Sequence, residues 1–142
     1  MKKLISTLFA LAVIVSMTVL TSCGSKVDNA TVGKIVEKYD NGDDLTEAEY
    51  GTLLDYVDAA MDDALPIIKD MQDAVADGDM VKLQKLTKKG EELDGKYEYM
   101  DKAGKILDKV DESELGEANV KKIEALAKKI SDATGMDISD IF

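Results

Sequence analysis

The chain has 142 residues, 29 of them acidic and 18 basic, with no histidine, no tryptophan and a single cysteine. Without histidine or a second thiol it cannot build Ser-His-Asp or Cys-His nucleophilic sites, nor a zinc site made of imidazole and thiolate. A net charge of −11 repels phosphate and argues against nucleic acid as a partner.

The chain opens with two lysines, Lys2 and Lys3, followed by an apolar run over residues 4–20 that is interrupted only by Ser6, Thr7, Ser16 and Thr18. Seventeen residues is the lower end of what spans a bilayer, so the run reads as a secretory signal rather than an anchor. It ends in Leu20-Thr21-Ser22-Cys23. That motif resembles the lipobox of bacterial lipoproteins, in which a branched apolar residue and two small ones precede an obligatory cysteine. The resemblance implies cleavage between Ser22 and Cys23, a diacylglyceryl group on the Cys23 sulfur, and acylation of the new amino terminus. Two or three acyl chains hold a protein to a membrane stably, whereas one does not. Gly24, where an aspartate would retain such a lipoprotein at the inner membrane, implies the outer membrane, on its periplasmic or its cell-surface face.

The expected division is a signal over residues 1–22, a lipidated cysteine with a short tether over 23–29, and an acidic helical domain over 30–142. Loss of the signal removes Lys2 and Lys3 and no acid, moving the net charge from −11 to −13. The tether is at most about 20 Å long at 3.3–3.6 Å per residue, which keeps the domain close to the membrane.

One proline and apolar residues recurring every three or four positions predict an all-α domain, a bundle of three to four mostly antiparallel helices. A first helix is expected over residues 31–39, with Val32, Ile35, Val36 and Tyr39 on one face, closed by the turn Asp40-Asn41-Gly42-Asp43-Asp44. Thr46 with Glu49 three residues later forms a capping box that starts the second helix, whose apolar stripe runs to about residue 76. Pro66 predicts a kink or break near residues 62–65. Asp77-Gly78-Asp79 is the next turn and supplies an N-cap. A third helix follows to about Val110, on a seam that carries Gly90 and Gly104, glycines that read as ordinary close packing in a bundle, with a groove for an apolar ligand or partner helix as the alternative. A last helix begins at Ser113 or Glu114 and is capped by Gly135. The apolar tail, residues 136–142, is expected to fold back on the bundle.

The turn after the first helix resembles part of an EF-hand loop, because Leu45 and Glu49 have the separation of its apolar eighth and bidentate twelfth positions. It makes Asp40, Asp43, Asp44 and Glu49 calcium candidates. In that register, however, Lys38 takes the first ligand position and Gly42 falls at the fifth rather than the sixth, so a primary ligand is missing and the capping-box reading outweighs it. Asp55, Asp58 and Asp62, then Asp70, Asp73 and Asp77, form two acidic rows expected to be solvated or to meet a basic partner. Lys121, Lys122, Lys128 and Lys129 read as the densest positive charge, facing those acids or solvent. Met61, Met71, Met80 and Met100 are expected in the core, and tyrosines on the apolar stripes are expected to turn their hydroxyls to the rim.

No cofactor is implied. The function expected is a non-enzymatic interaction or accessory module, attached to a membrane by its lipid and meeting an unidentified protein partner. The alternative is a lipoprotein that binds a small ligand or a divalent cation.

Overall fold

Two caps at the start of the chain's longest element set its frame. In the computed structural model, which describes residues 28–135, the Thr46 hydroxyl accepts from the Glu49 N–H while the Glu49 carboxylate accepts from the Thr46 N–H, so the predicted capping box is present in both directions. Among the described residues six helices follow one another: α1 (Asn29–Asp40), α2 (Glu47–Asp77), α3 (Met80–Lys96), α4 (Met100–Lys109), α5 (Glu112–Leu115) and α6 (Glu117–Thr134). No strand occurs among the described residues. The predicted third segment is divided into α3 and α4, and the predicted fourth is preceded by the single turn α5.

Side-chain contacts give the directions. Lys38 meets Glu49 and Asn29 meets Tyr56, so α1 runs antiparallel to α2. Lys96 meets Asp63 and Tyr97 meets the Ala59 carbonyl, so α3 also descends along α2. Asn119 bonds the Glu47 carbonyl, Lys122 pairs with Asp55 and Lys129 pairs with Asp58 and Asp62, so α6 climbs parallel to α2. The four segments alternate down, up, down, up around α2, an all-α bundle with short connections.

Pro66 does not break α2, which is helical throughout residues 47–77. The N–H that proline lacks would have bonded the Asp62 carbonyl, and both residues lie on the exposed side, where solvent can take the orphaned acceptor. The helix ends at Gly78, in the left-handed conformation that lets its N–H close the last turn. Asp79 then caps α3 through the Lys82 N–H at 2.9 Å, and Gly135 closes α6 as predicted.

The seam predicted to run unbroken to Val110 is interrupted at Tyr97, whose backbone leaves the helical region at φ −120° and ψ 56°. The interruption lets two rings enter the interior: Tyr56 and Tyr97 stack edge to face with centroids 5.4 Å apart, Tyr56 wholly buried and Tyr97 nearly so. The last helix starts later than expected for a comparable reason. Gly116 stands at φ 76° and ψ 154°, a conformation essentially restricted to glycine, and divides α5 from α6.

The core lies between α1, the first half of α2, α4 and α6, where Val32, Val36, Leu53, Leu107, Leu115 and Ile123 are fully enclosed.

Candidate functional site

The loop that suggested calcium is committed to other contacts at one end. Both Glu49 oxygens receive the Lys38 ammonium, Oε1 at 3.0 Å and Oε2 at 2.8 Å, and Oε2 also receives the Thr46 N–H at 2.8 Å. The Lys38 ammonium and then the Thr46 N–H hold the Glu49 carboxyl below the ordinary carboxylate range. Asp40 pairs with Lys102 at 3.2 Å, while Asp43 and Asp44 are exposed. Among the described residues, no group of three or more acidic or sulfur side chains is arranged to hold a metal ion. Cys23 and Ser22, and the tail over residues 136–142, lie outside the described residues. No described helix is long and apolar enough to cross a membrane.

A polar junction forms where α3 gives way to α4. Tyr56 donates to the Asn29 side chain at 2.6 Å and accepts from the Tyr99 N–H at 3.3 Å, while the Asn29 amide donates to the Lys96 carbonyl at 3.2 Å. Burial pushes the Tyr56 hydroxyl up to about 12. Tyr97 donates to the Ala59 carbonyl at 3.0 Å and to Asp63 at 2.8 Å, and Lys96 reaches the same Asp63 oxygen at 2.5 Å. The Lys96 ammonium, followed by the Tyr97 hydroxyl, draws the Asp63 carboxyl below its ordinary value, against the pull of burial. The hydroxyl of Tyr97 thus turns to the half-exposed Asp63 carboxylate, whereas that of Tyr56 is used inside.

Beside this junction a groove of about 620 Å³ runs between α1 and α4, lined by Asn29, Gly33, Lys34, Glu37, Tyr99 and Lys102 among others. Its floor depends on a glycine: a Cβ at Gly33 would come within 3.0 Å of the Tyr99 ring. Gly90 and Gly104, which suggested a groove from sequence, are buried within α3 and α4.

The charged rows divide into used and unused halves. Asp55 takes Lys122 at 2.6 Å, and Asp58 and Asp62 share Lys129, the latter at 2.7 Å. Partial burial pulls the Lys129 ammonium down, but its two aspartates outweigh this and hold it above the ordinary lysine value. Lys121 pairs with Glu117. Asp70, Asp73 and Asp77 on α2 enter no ion pair among the described residues, nor do Lys82, Lys85, Lys88 and Lys89 on α3. The free positive charge is therefore concentrated on α3 rather than on α6. At the tip of the same hairpin Val75, Met80 and Val81 are 65%, 67% and 64% exposed, so Met80, unlike the buried Met61, is not a core residue.

Sequence reasoning placed Asn29 in the tether, whereas it is the first residue of α1, and it passed over Asp63, Lys96, Gly33, Gly116 and Asn119. Asn119 is the one buried polar side chain among the described residues; its amide donates to the Glu47 carbonyl at 2.8 Å and the Leu115 carbonyl at 2.7 Å, tying the start of α6 to the start of α2. The signal available was a polar residue on the inward face of a helix, where a buried polar group is nearly always hydrogen-bonded.

Comparison with family models, with curated proteins and with solved structures finds no match to this chain.

Proposed function

We propose that the chain is a lipid-anchored, non-enzymatic interaction module, held at a bacterial outer membrane through Cys23. The observation that carries this is Leu20-Thr21-Ser22-Cys23 behind a basic, apolar leader. The lack of histidine and of any second thiol supports it by removing the commonest nucleophilic and zinc chemistries. Metabolic labelling with a radioactive or clickable palmitate tests the anchor: wild type takes up label and sediments with membranes, and Cys23→Ala takes up none. Labelling that persists in Cys23→Ala, or a wild-type chain recovered unlabelled from the soluble fraction, overturns it. Turnover of glycoside, ester or phosphoester substrates that an acidic-pair substitution abolishes would sink the non-enzymatic part.

The groove between α1 and α4 favours a second reading, that of a carrier for a small polar ligand or a divalent cation, since it presents Lys34, Lys102, Glu37 and Asp40 around one aromatic side chain. A thermal-shift screen separates the two. A ligand at about 100 times its dissociation constant stabilises by about 2.7 kcal/mol, and no shift with divalent cations or small anions leaves the interaction module alone.

A further inference from the structure

Asp70, Asp73 and Asp77 repeat the i, i+3, i+7 spacing of Asp55, Asp58 and Asp62 on the same helix. In the first half of α2 that row receives Lys122 and Lys129 from α6, two lysines seven residues apart. α6 ends at Thr134, and its register on α2, Lys129 beside Asp62, leaves the second row beyond its last turn. On α3, Lys82 and Lys89 are again seven residues apart, with Lys85 between them, and none of the three enters an ion pair among the described residues.

The two rows stand at matching heights. The antiparallel register set by Asp63 and Lys96 puts Asp77 level with Lys82, Asp73 with Lys85 and Asp70 with Lys89, to within a residue. At about 100° per residue, each row is offset from its helix's buried side, marked by Ala74 on α2 and by Leu86 and Gly90 on α3, in the same rotational sense. In antiparallel helices, equal senses place both rows on one side of the hairpin. That side is an acidic stripe beside a basic stripe.

We propose that this side of the α2–α3 hairpin is a self-association surface that docks a second copy of the chain. A two-fold axis running along the hairpin lays each copy's lysine stripe over the other's aspartate stripe, so one operation satisfies both rows at once. Any other rotation sets like charge on like. A self-complementary surface of this kind is what a closed dimer requires, and complementary charge fixes its register and speeds its encounter. The inference deepens the interaction-module reading by naming a partner, and rests on it only in taking the hairpin as a binding surface.

The test uses the full chain, purified in detergent, with mass measured by light scattering and palmitate label read on the same preparation. Wild type is expected to dimerise at about 0.1 M salt and to dissociate towards about 1 M, over which the screening length falls from about 10 to about 3 Å. D70K/D73K/D77K and K82E/K85E/K89E are each expected to be monomeric, and their equimolar mixture to form dimers again, since each then offers the other the charge it lacks. A folded, monomeric wild type at low salt overturns the proposal and leaves the lysine row to an anionic lipid or acidic protein. Variants that dimerise as well alone as wild type overturn it too. Either result leaves the anchor reading intact, because that reading stands on the label at Cys23.

Discussion

The two halves of α2 have the same kind of sequence and different surroundings. Before Pro66 the helix buries Tyr50, Gly51, Leu53, Leu54, Tyr56, Val57, Ala60, Met61 and Leu65; after it, only Ala74. α1, α4 and α6 all pack on the first half, whereas among the described residues α3 alone accompanies the second beyond the end of α6. The charged rows follow the division, paired in cis before the proline and unpaired after it. An acidic row on a helix is thus not inherently a solvated face or a binding face. Its role is set by which helix lies beside it, and helix length decides where that company ends.

Measurements of three kinds, on the core, on the joint and on the charges, sharpen or break this contrast. The largest effect belongs to the core of the first half: Leu53→Ala, at a site with no exposure, is expected to cost about 2–5 kcal/mol in urea unfolding, while Val75→Ala at the tip stays within about 0.5 kcal/mol. Comparable losses at both sites would erase the distinction. Native-state hydrogen exchange checks it independently, with amides of residues 68–77 expected to exchange through local opening and those of residues 50–61 only on global unfolding.

Next comes the joint at the base of the first half. Gly116→Ala forces a side chain into a glycine-only conformation and against the Glu47 carboxylate, which its Cβ would approach to 2.4 Å, so a loss of about 1–3 kcal/mol is expected. The matching substitution at Gly78, which also has positive φ but meets nothing within 4 Å, should cost less. Asn119→Ala leaves the Glu47 and Leu115 carbonyls without their shared donor and is expected to cost about 1–3 kcal/mol. Equal stability of Asn119→Ala and wild type would show that water replaces the amide.

The smallest effect is electrostatic. The Asp63 carboxyl is depressed in the folded chain by Lys96 and Tyr97, so it stabilises the fold above the unfolded carboxylate value of about 3.8 and loses that contribution as pH falls through its lower folded value. Asp63→Asn should therefore be less stable than wild type at neutral pH, and the gap should close on acidification. At the alkaline end the sign reverses in form. The Tyr56 hydroxyl, raised from 10 to about 12, stabilises below the lower value and ceases to do so as pH rises through the higher one. Tyr56→Phe should remove that alkaline limb. Neither change should alter exchange at the hairpin tip.

Much of the architecture was legible because it is written in local rules. The capping box at Thr46, the turn at Gly78 with its N-cap at Asp79, and the terminal cap at Gly135 each depend on a few adjacent residues. Apolar periodicity then gives the helical class and the short connections give the alternation of direction. What could not be read from periodicity depends on contacts between distant residues. The break at Tyr97 exists because two tyrosines 41 positions apart in sequence meet edge to face. Pro66 is tolerated because its orphaned carbonyl happens to face solvent. The pairing of Lys122 and Lys129 with the first acidic row, and the lack of any partner for the second, follow from where α6 stops, a three-dimensional fact. Of the candidate site, the calcium-like spacing was visible in sequence, but the ammonium of Lys38 on Glu49 was not, since it comes from the preceding helix.

The junction at Asn29 has a mechanical consequence. The first residue of α1 is bonded through its side chain to Tyr56 of α2 and to the backbone of Lys96 in α3, and it sits midway along the bundle rather than at an end. Tension arriving from the chain before Asp28 therefore enters at the waist of the molecule and is divided among three helices at its first step. Peeling α1 away would have to begin by rupturing that side-chain latch.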